Sequence, residues 1–430
     1  MAGALLLMTT ILSRAVAKLR GVEARKSIFY YASQIFMLAS PIIVLPFLGR
    51  VVGPGGIGLY GSGQSLALLV TAVVEFNLLQ SASRQAAKIR RDPDQLRHLA
   101  ANVFGAKIFL TFFSIAVCAI LFFSIGILRA NVLVFAMALA LGVVQGHSVY
   151  WFFGGTGNLQ FVALSDLAGR ILGVIAVFAL VHSANQVWLI FLAQAGGAGV
   201  GVLAAILFMT IRFTGPVRPD FVGGLRLMRQ NAHLFVQNFI GTIYTGSTAL
   251  VMGLVSGPVA IGYFSAAERM TRAGILPTQP LRQTFFPRVA ALAHEDPARS
   301  VRLVRQLIFA AGGLNLCISL MLFFLAGFIL RVVFGPGFGH SVEVLRILAV
   351  LPLLLVVQDI LSNLWLIPLH HDRFCTMVVM VSGTVHVVGV VVLTSLWGPV
   401  GTALAMVISN LVATLLTAGK VFSLSVHPFS

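Results

Sequence analysis

Charge is what this sequence has least of. Only 10% of its 430 residues are Asp, Glu, Lys or Arg, where a soluble domain carries roughly 25%. Too few polar groups remain to coat a water-soluble globule. Cysteine is also scarce. Cys118, Cys317 and Cys375 lie far apart in or beside apolar runs, with no CxxC pair and no His/Cys cluster, so a disulfide framework or a bound metal is not expected and the three read as small buried apolar residues. No GxxxxGK[ST] phosphate loop is present, which removes ATP hydrolysis within the chain. No nucleophile, base and orienting acid fall into a catalytic pattern, and no cofactor motif appears, so the chain does not read as an enzyme. His370-His371 beside Asp372 read as a solvated turn.

What the chain does have is apolar length. Hydrophobic residues make up 58% of it, and mean hydropathy is +0.98. They gather in stretches of roughly 20 or more, enough to cross about 30 Å of hydrocarbon as helix. Strand-like alternation is missing, and only helices or closed barrels satisfy the backbone in lipid. The fold class expected is therefore an all-α polytopic membrane protein. About twelve spans are drawn, at 28–48, 56–80, 99–126, 130–153, 159–181 and 187–210, then 232–255, 258–281, 306–332, 342–368, 374–396 and 399–422.

The formal charge of +17 would suit nucleic acid if it formed one patch. Instead, 21 of the 29 Lys and Arg fall on one side of the drawn spans and three (Arg50, Arg129, Arg331) on the other. That is the positive-inside pattern. It puts both termini in the cytoplasm and leaves no nucleic-acid reading. Residues 1–26 read as a basic cytoplasmic arm rather than a secretory signal, because the charge follows the short apolar run instead of preceding it.

The chain repeats itself. GRVVGPGGIG at 49–58 and GLVSGPVAIG at 253–262 share six identities at an offset of 204. The same offset pairs Arg84 with Arg288, Asp92-Pro93 with Asp296-Pro297, and Ser33-Gln34 with Gln237-Asn238. Two six-helix lobes follow, 27–210 and 231–430, joined by a basic cytoplasmic linker at 211–230. An even number of spans per lobe gives both the same orientation, related by a pseudo-two-fold along the membrane normal, with substrate expected between them.

Ionisable groups within spans are the functional candidates, since each costs roughly 2.5–3.5 kcal/mol to insert. Glu268, Arg269 and Arg272 in the eighth span are the densest group. Glu268 and Arg272 stand i,i+4 and can pair, while Arg269 points elsewhere and is free to face a cavity. Pro277 and Pro280 beyond them can bend the helix. A structural ion pair at the interface is the alternative. Asp166 and Arg170 repeat the i,i+4 spacing and read as a neutralised structural pair or a site for ion coupling. Asp359 and Glu75 have no opposite charge at helical spacing and are candidates for proton or sodium coupling, or for hydrogen bonds to a neighbouring helix. Gln34, Gln64 and Asn238 either line a polar cavity or bridge helices. Lys107 and Arg346, near span ends, read as snorkelling to the interface.

At the repeat, LPFLGRVVGPGGIGLYGSGQSL followed by EFNLLQSASRQAAKIRRDPDQL resembles bacterial polysaccharide-unit flippases of the Wzx type. These belong to the multidrug/oligosaccharidyl-lipid/polysaccharide (MOP) exporter superfamily. YWFFGGTGNLQFVALSDLAGRIL and GYFSAAERMTRAGILPTQPLRQTFFPRVAAL extend the resemblance over nearly the whole chain. It implies two six-helix bundles around a cationic cavity in the bacterial inner membrane. It also implies transport of undecaprenyl-diphosphate-linked oligosaccharide for exopolysaccharide or O-antigen synthesis, with a polysaccharide polymerase and a chain-length regulator as partners besides membrane lipids. By this resemblance the cationic role maps to Arg269, Arg272 and Arg50. A multidrug exporter of the same superfamily and a lipid II flippase are the alternatives.

Overall fold

A computed structural model describes residues 22–424 apart from 125, 279–284, 287, 293 and 294, and side chains from Ile43 onward except also those of 124, 237, 244, 245, 277 and 297. Residues 1–21 of the basic arm and Arg282 lie outside those residues, as does the side chain of Gln34. Among the described residues there is helix and no strand. Eight helical stretches among them are long and apolar enough to cross a membrane. Their outward side chains are themselves apolar, including Phe112, Phe123, Leu203, Phe309 and Phe324. A surface of that kind suits lipid and not water.

The first helix, α1 (Val22–Glu75), is 54 residues long. At 1.5 Å per residue it would run about 80 Å, far more than a bilayer needs. Gly53 breaks it, with φ 65° and ψ −174°, and Pro54 restarts it from the position where its missing N–H does no harm. The last helix, α16, does the same. It spans Asp372–Phe422 and folds back at Gly398-Pro399. Thr394 then hydrogen-bonds Thr402 at 2.7 Å across the bend. Each of these two stretches holds two of the drawn spans.

The chain divides into two compact units. One comprises Gly63–Thr242 with the segment ending at Phe47; the other comprises Leu48–Ser62 and the chain from Ile243 on. In the first unit follow α2 (Leu78–Lys88), α3 (Pro93–Ser124), α4 (Gly126–Ala130), α5 (Val132–Gly146), α6 (Tyr150–Thr156), α7 (Leu159–Leu180), α8 (Val187–Met209) and most of α9 (Phe221–Gly246). Asp92 caps α3, accepting the amides of Asp94 and Gln95 at 3.1 Å, and Pro93 takes the first helical position. Helices α7 and α8 meet through two GxxxG faces. A Cβ on Gly169 would stand 2.3 Å from the Gly197 carbonyl, and one on Gly197 2.3 Å from that of Gly169, so only glycine permits this approach. The interior is aromatic. Trp151, Phe152 and Phe153 of α6 are fully buried, and rings meet at Phe161–Phe208 (4.3 Å) and Phe76–Phe235 (4.1 Å). The basic segment after residue 210 is packed rather than loose. Arg97 donates to the Thr214 carbonyl, and Asp220 accepts the amide of Gly223 at 3.0 Å to open α9.

In the second unit follow α10 (Thr248–Met252), α11 (Pro258–Ile275), α12 (Pro297–Phe324), α13 (Ala326–Phe334), α14 (Ser341–Leu348), α15 (Leu351–Asp359) and α16. Asp296 caps α12 through the Arg299 amide at 3.0 Å. The repeated Asp-Pro pairs are thus the same N-terminal device used twice.

Candidate functional site

The site grows from the repeat. Pro54–Ser62 of α1 and Pro258–Ala266 of α11, equivalent segments in the two copies, cross within the second unit with backbones touching. A Cβ on Gly58 would fall 1.8 Å from the Pro258 carbonyl oxygen, and one on Gly262 would fall 1.8 Å from that of Pro54. The reciprocity marks a local two-fold, and it explains why both copies need Gly-Pro followed four residues later by Gly. Beyond the crossing, Ser62 donates to the Ala249 carbonyl at 3.3 Å.

One to three turns along α11 stand the three charges. Arg272 and Glu268 form an ion pair at 2.7 Å, the i,i+4 pairing expected. The Arg272 side chain is 49% exposed. Arg269, expected to face a cavity, lies 4.6 Å over the ring of Tyr60. This cation–π contact holds it against the other helix of the crossing. Tyr60 carries no signal in the sequence that would have singled it out. The expected bend after these charges takes another form: α11 ends at Ile275 and tightens into a 3₁₀ turn at Leu276–Thr278. Pro280 lies outside the described residues.

The remaining candidates separate. Arg50 donates to the Val332 carbonyl at 3.0 Å, a cation at the C-terminal end of α13 where it complements the helix dipole. Gln64 bonds Gln194 at 2.8 Å, bridging helices within the first unit. Asp166 accepts from Arg170 at 2.9 Å and Tyr150 at 3.2 Å. Asp359 accepts from Asn363 at 2.7 Å. Glu75 is half-buried, and Asn238 is exposed, its carbonyl bonded by Thr242 at 3.0 Å.

Two readings are corrected, and one residue was missed. Lys107 does not snorkel: it is 1% exposed, donates to the Ser148 carbonyl at 2.7 Å, and has Glu75 as an electrostatic partner. The break between α5 and α6 presents that carbonyl, which is why the amine can stay inside. Cys317 is exposed rather than buried, while Cys118 is buried and Cys375 half-buried, and all three thiols are free. Sequence reasoning passed over His386, which lies 2% exposed in the second unit. It is the sole ionisable side chain in an apolar run from Met377 to Leu396, a signal that was there to be read.

The helices, broken spans and internal repeat define a class, the MOP-type all-α membrane fold. An inward-facing multidrug resistance MATE family transporter of the MOP superfamily superposes with a TM-score of 0.63 at 15% identity, over 90% of this chain and 100% of that one. The lipid II flippase MurJ, in an inward closed conformation, also gives 0.63, at 13% identity over 92% and 88%. Within that class, residues 24–293 match the polysaccharide biosynthesis protein family, and the chain belongs to it. Two relatives, each described as "Putative O-antigen transporter", are similar along most of their length. The protein from Escherichia coli (strain K12) is 22% identical over 87% of this chain and 90% of its own. The protein from Shigella dysenteriae is 21% identical over 87% and 94%.

Proposed function

We propose that this multi-pass membrane protein is a flippase for polysaccharide repeat units. Its substrate would be an oligosaccharide linked through a diphosphate to undecaprenol. It would move from the cytoplasmic to the outer leaflet of the bacterial inner membrane, with both protein termini in the cytoplasm. It is a transporter and not an enzyme. The observation that carries the reading is the charged face of α11, where Arg269 and Arg272 stand seven and ten residues past Gly262 of the crossing. Guanidinium groups bind phosphate oxygens with paired N–H donors. Arg272 can offer such donors by exchanging Glu268 for the diphosphate. Transport follows if this face opens to one side of the membrane and then the other. The lipid tail stays in the bilayer while the diphosphate and sugars keep to polar surroundings, so no phosphate charge crosses hydrocarbon. The two six-helix lobes, 27–210 and 231–430, are the parts expected to move.

Membership of the polysaccharide biosynthesis protein family favours this reading over a multidrug exporter. Deleting the gene tests it. Lipid-linked repeat units should build up in the inner leaflet and surface polysaccharide should fall. Unchanged surface polymer, in a cell with no second flippase, would sink the reading.

A further inference from the structure

Turns of the second unit close around a cavity of about 540 Å³. Its walls include Pro258, Val259 and Tyr263 at the start of α11, His340 and Glu343 at the start of α14, and Pro399 where α16 restarts. A volume of that order suits a small molecule, since ligand pockets run to roughly 300–1,000 Å³. The polar groups are held in place by packed rings. Tyr263 meets the ring of His340 at 5.2 Å and that of Phe338, edge to face, at 6.4 Å. Phe338 and Phe334 are almost wholly buried and meet each other at 5.0 Å. The turn that carries His340 is therefore pinned from inside the unit.

The lining chemistry narrows the ligand. Valine and proline give much of the wall and Tyr263 adds a ring, surfaces that pack against C–H groups. The Tyr263 phenol and the His340 imidazole can each donate or accept a hydrogen bond, and the Glu343 carboxylate accepts. Among the described residues no lysine or arginine lines the cavity, and no ion pair involves Glu343. A phosphate or an acidic sugar would meet that carboxylate with no cation to offset it, a penalty that selects against anions. A neutral sugar fits both parts of the wall, because a pyranose has an apolar C–H face and a rim of hydroxyls that donate. Nor is the cavity part of the arginine face. Nine residues, about two and a half turns, separate Tyr263 from Arg272, which puts them on opposite sides of α11.

We infer that this cavity binds a neutral pyranose residue of the glycan, at a site separate from the diphosphate. The chemistry of the site stands on its lining; its place in transport rests on the proposed function. The turns at 256–257, 333–341 and 397–398 lie between drawn spans on the side opposite the 21 cations, which that reading makes the outer one. The cavity therefore meets the sugars after they cross rather than before. Its carboxylate gives the transporter a preference among sugars that the arginines cannot give, because every lipid-linked unit carries the same diphosphate.

The test uses the full chain in lipid nanodiscs, with both faces open to solution. The probes are the methyl glycosides of glucose, galactose, rhamnose and N-acetylglucosamine, none of which carries a phosphate. Saturation-transfer NMR should find at least one of them bound with a Kd of roughly 1 mM, ordinary for a ligand of that size. Methyl glucuronide, the acidic counterpart of methyl glucoside, should bind about tenfold more weakly than the neutral sugar. Glu343 is exposed, so Glu343→Gln should fold, weaken the neutral glycosides about tenfold and remove the bias against the glucuronide. Val259→Trp, at a half-exposed position, should fill the cavity and abolish binding while the melting curve stays as it was. No saturable binding of any glycoside, or binding that survives Val259→Trp, overturns the inference. Cadaverine binding in preference to the glycosides also overturns it, by making the cavity a cation site. A chain that binds the glycosides and moves no lipid-linked glycan keeps the site and defeats the flippase reading; one that moves the glycan and binds no glycoside does the reverse.

Discussion

Both units bury rings, Phe264, Phe334 and Phe338 in the second among them, but buried hydroxyls are few in the unit around residues 63–242 and many in the unit that holds 48–62 and 243 onward. Trp151, Phe152 and Phe153 are wholly buried in the first; Ser382, Thr394, Thr402, Ser409 and Thr417 are nearly so in the second. The two chemistries do different things in lipid. Close-packed rings fit one another in few ways and offer nothing to a proton, so they fix a shape. Buried hydroxyls can rotate, donate or accept, and each contributes little, because interhelical hydrogen bonds in membranes average about 0.6 kcal/mol. The same unit holds the glycine crossing, the Arg269–Tyr60 contact and His386. The Trp151–Phe153 cluster reads as a frame, and the hydroxyl-lined unit as the part whose groups can change partners.

Substitutions can break that contrast. The largest effect is expected in the aromatic core. Phe152→Ala, at a site with 0% exposure, should lower stability by about 3–5 kcal/mol, read as a collapse of the melting temperature in detergent. A small effect there would mean that the rings are not the frame. Next comes the crossing. Gly58→Ala or Gly262→Ala puts a Cβ into a backbone carbonyl and should cost about 1–3 kcal/mol. Gly313→Ala, with nothing within 4 Å of the added carbon, should leave stability unchanged or slightly raised. Thr402→Val in the hydroxyl core should cost less, about 0.6 kcal/mol. A loss near that of Phe152→Ala would erase the distinction between the two interiors.

The smallest effect lies outside the membrane, at Asp92. Hydrogen bonds from Gln95, backbone first and then side chain, hold this carboxyl below its ordinary value of 3.8. A folded value below the unfolded one means that the contribution is complete above pH 3.8 and is lost as pH falls further, through the folded value. Asp92→Asn, also a good cap, should melt like the parent at pH 7. It should also be the less acid-sensitive of the two below pH 4. Equal acid sensitivity would show that the cap does not titrate as described.

Much of this was legible in the sequence, and for physical reasons. Span length and the placement of Lys and Arg follow from bilayer thickness and insertion, both of which act locally along the chain. Hence the helical membrane fold and the i,i+4 pairs, Glu268–Arg272 and Asp166–Arg170, could be read directly. The repeat was visible too, but not its meaning. That Gly58 meets Gly262 depends on segments some 200 residues apart coming together, and no local pattern says so. Tyr60 under Arg269 was hidden for the same reason. Lys107 misled because a lysine near a span end ordinarily snorkels, and the carbonyl that holds it inside belongs to a helix break 41 residues away. The polar partners of His386, Thr248 at 2.9 Å and Ser409 at 3.3 Å, come from α10 and the returning limb of α16, so its isolation in an apolar run was readable while its hydroxyl cradle was not.

The proposed role of α11 can be tested directly in liposomes. They would contain the purified chain and a fluorescent prenyl-diphosphate sugar in one leaflet, and the measurement is the rate at which that label reaches the other. Arg269→Gln with Arg272→Gln removes charge-assisted hydrogen bonds worth about 1.5–3 kcal/mol each. The double variant should therefore fold, as judged by its melting curve, and translocate at least about tenfold more slowly. A folded double variant that moves the label at the parental rate would show that the arginines of α11 do not handle the diphosphate.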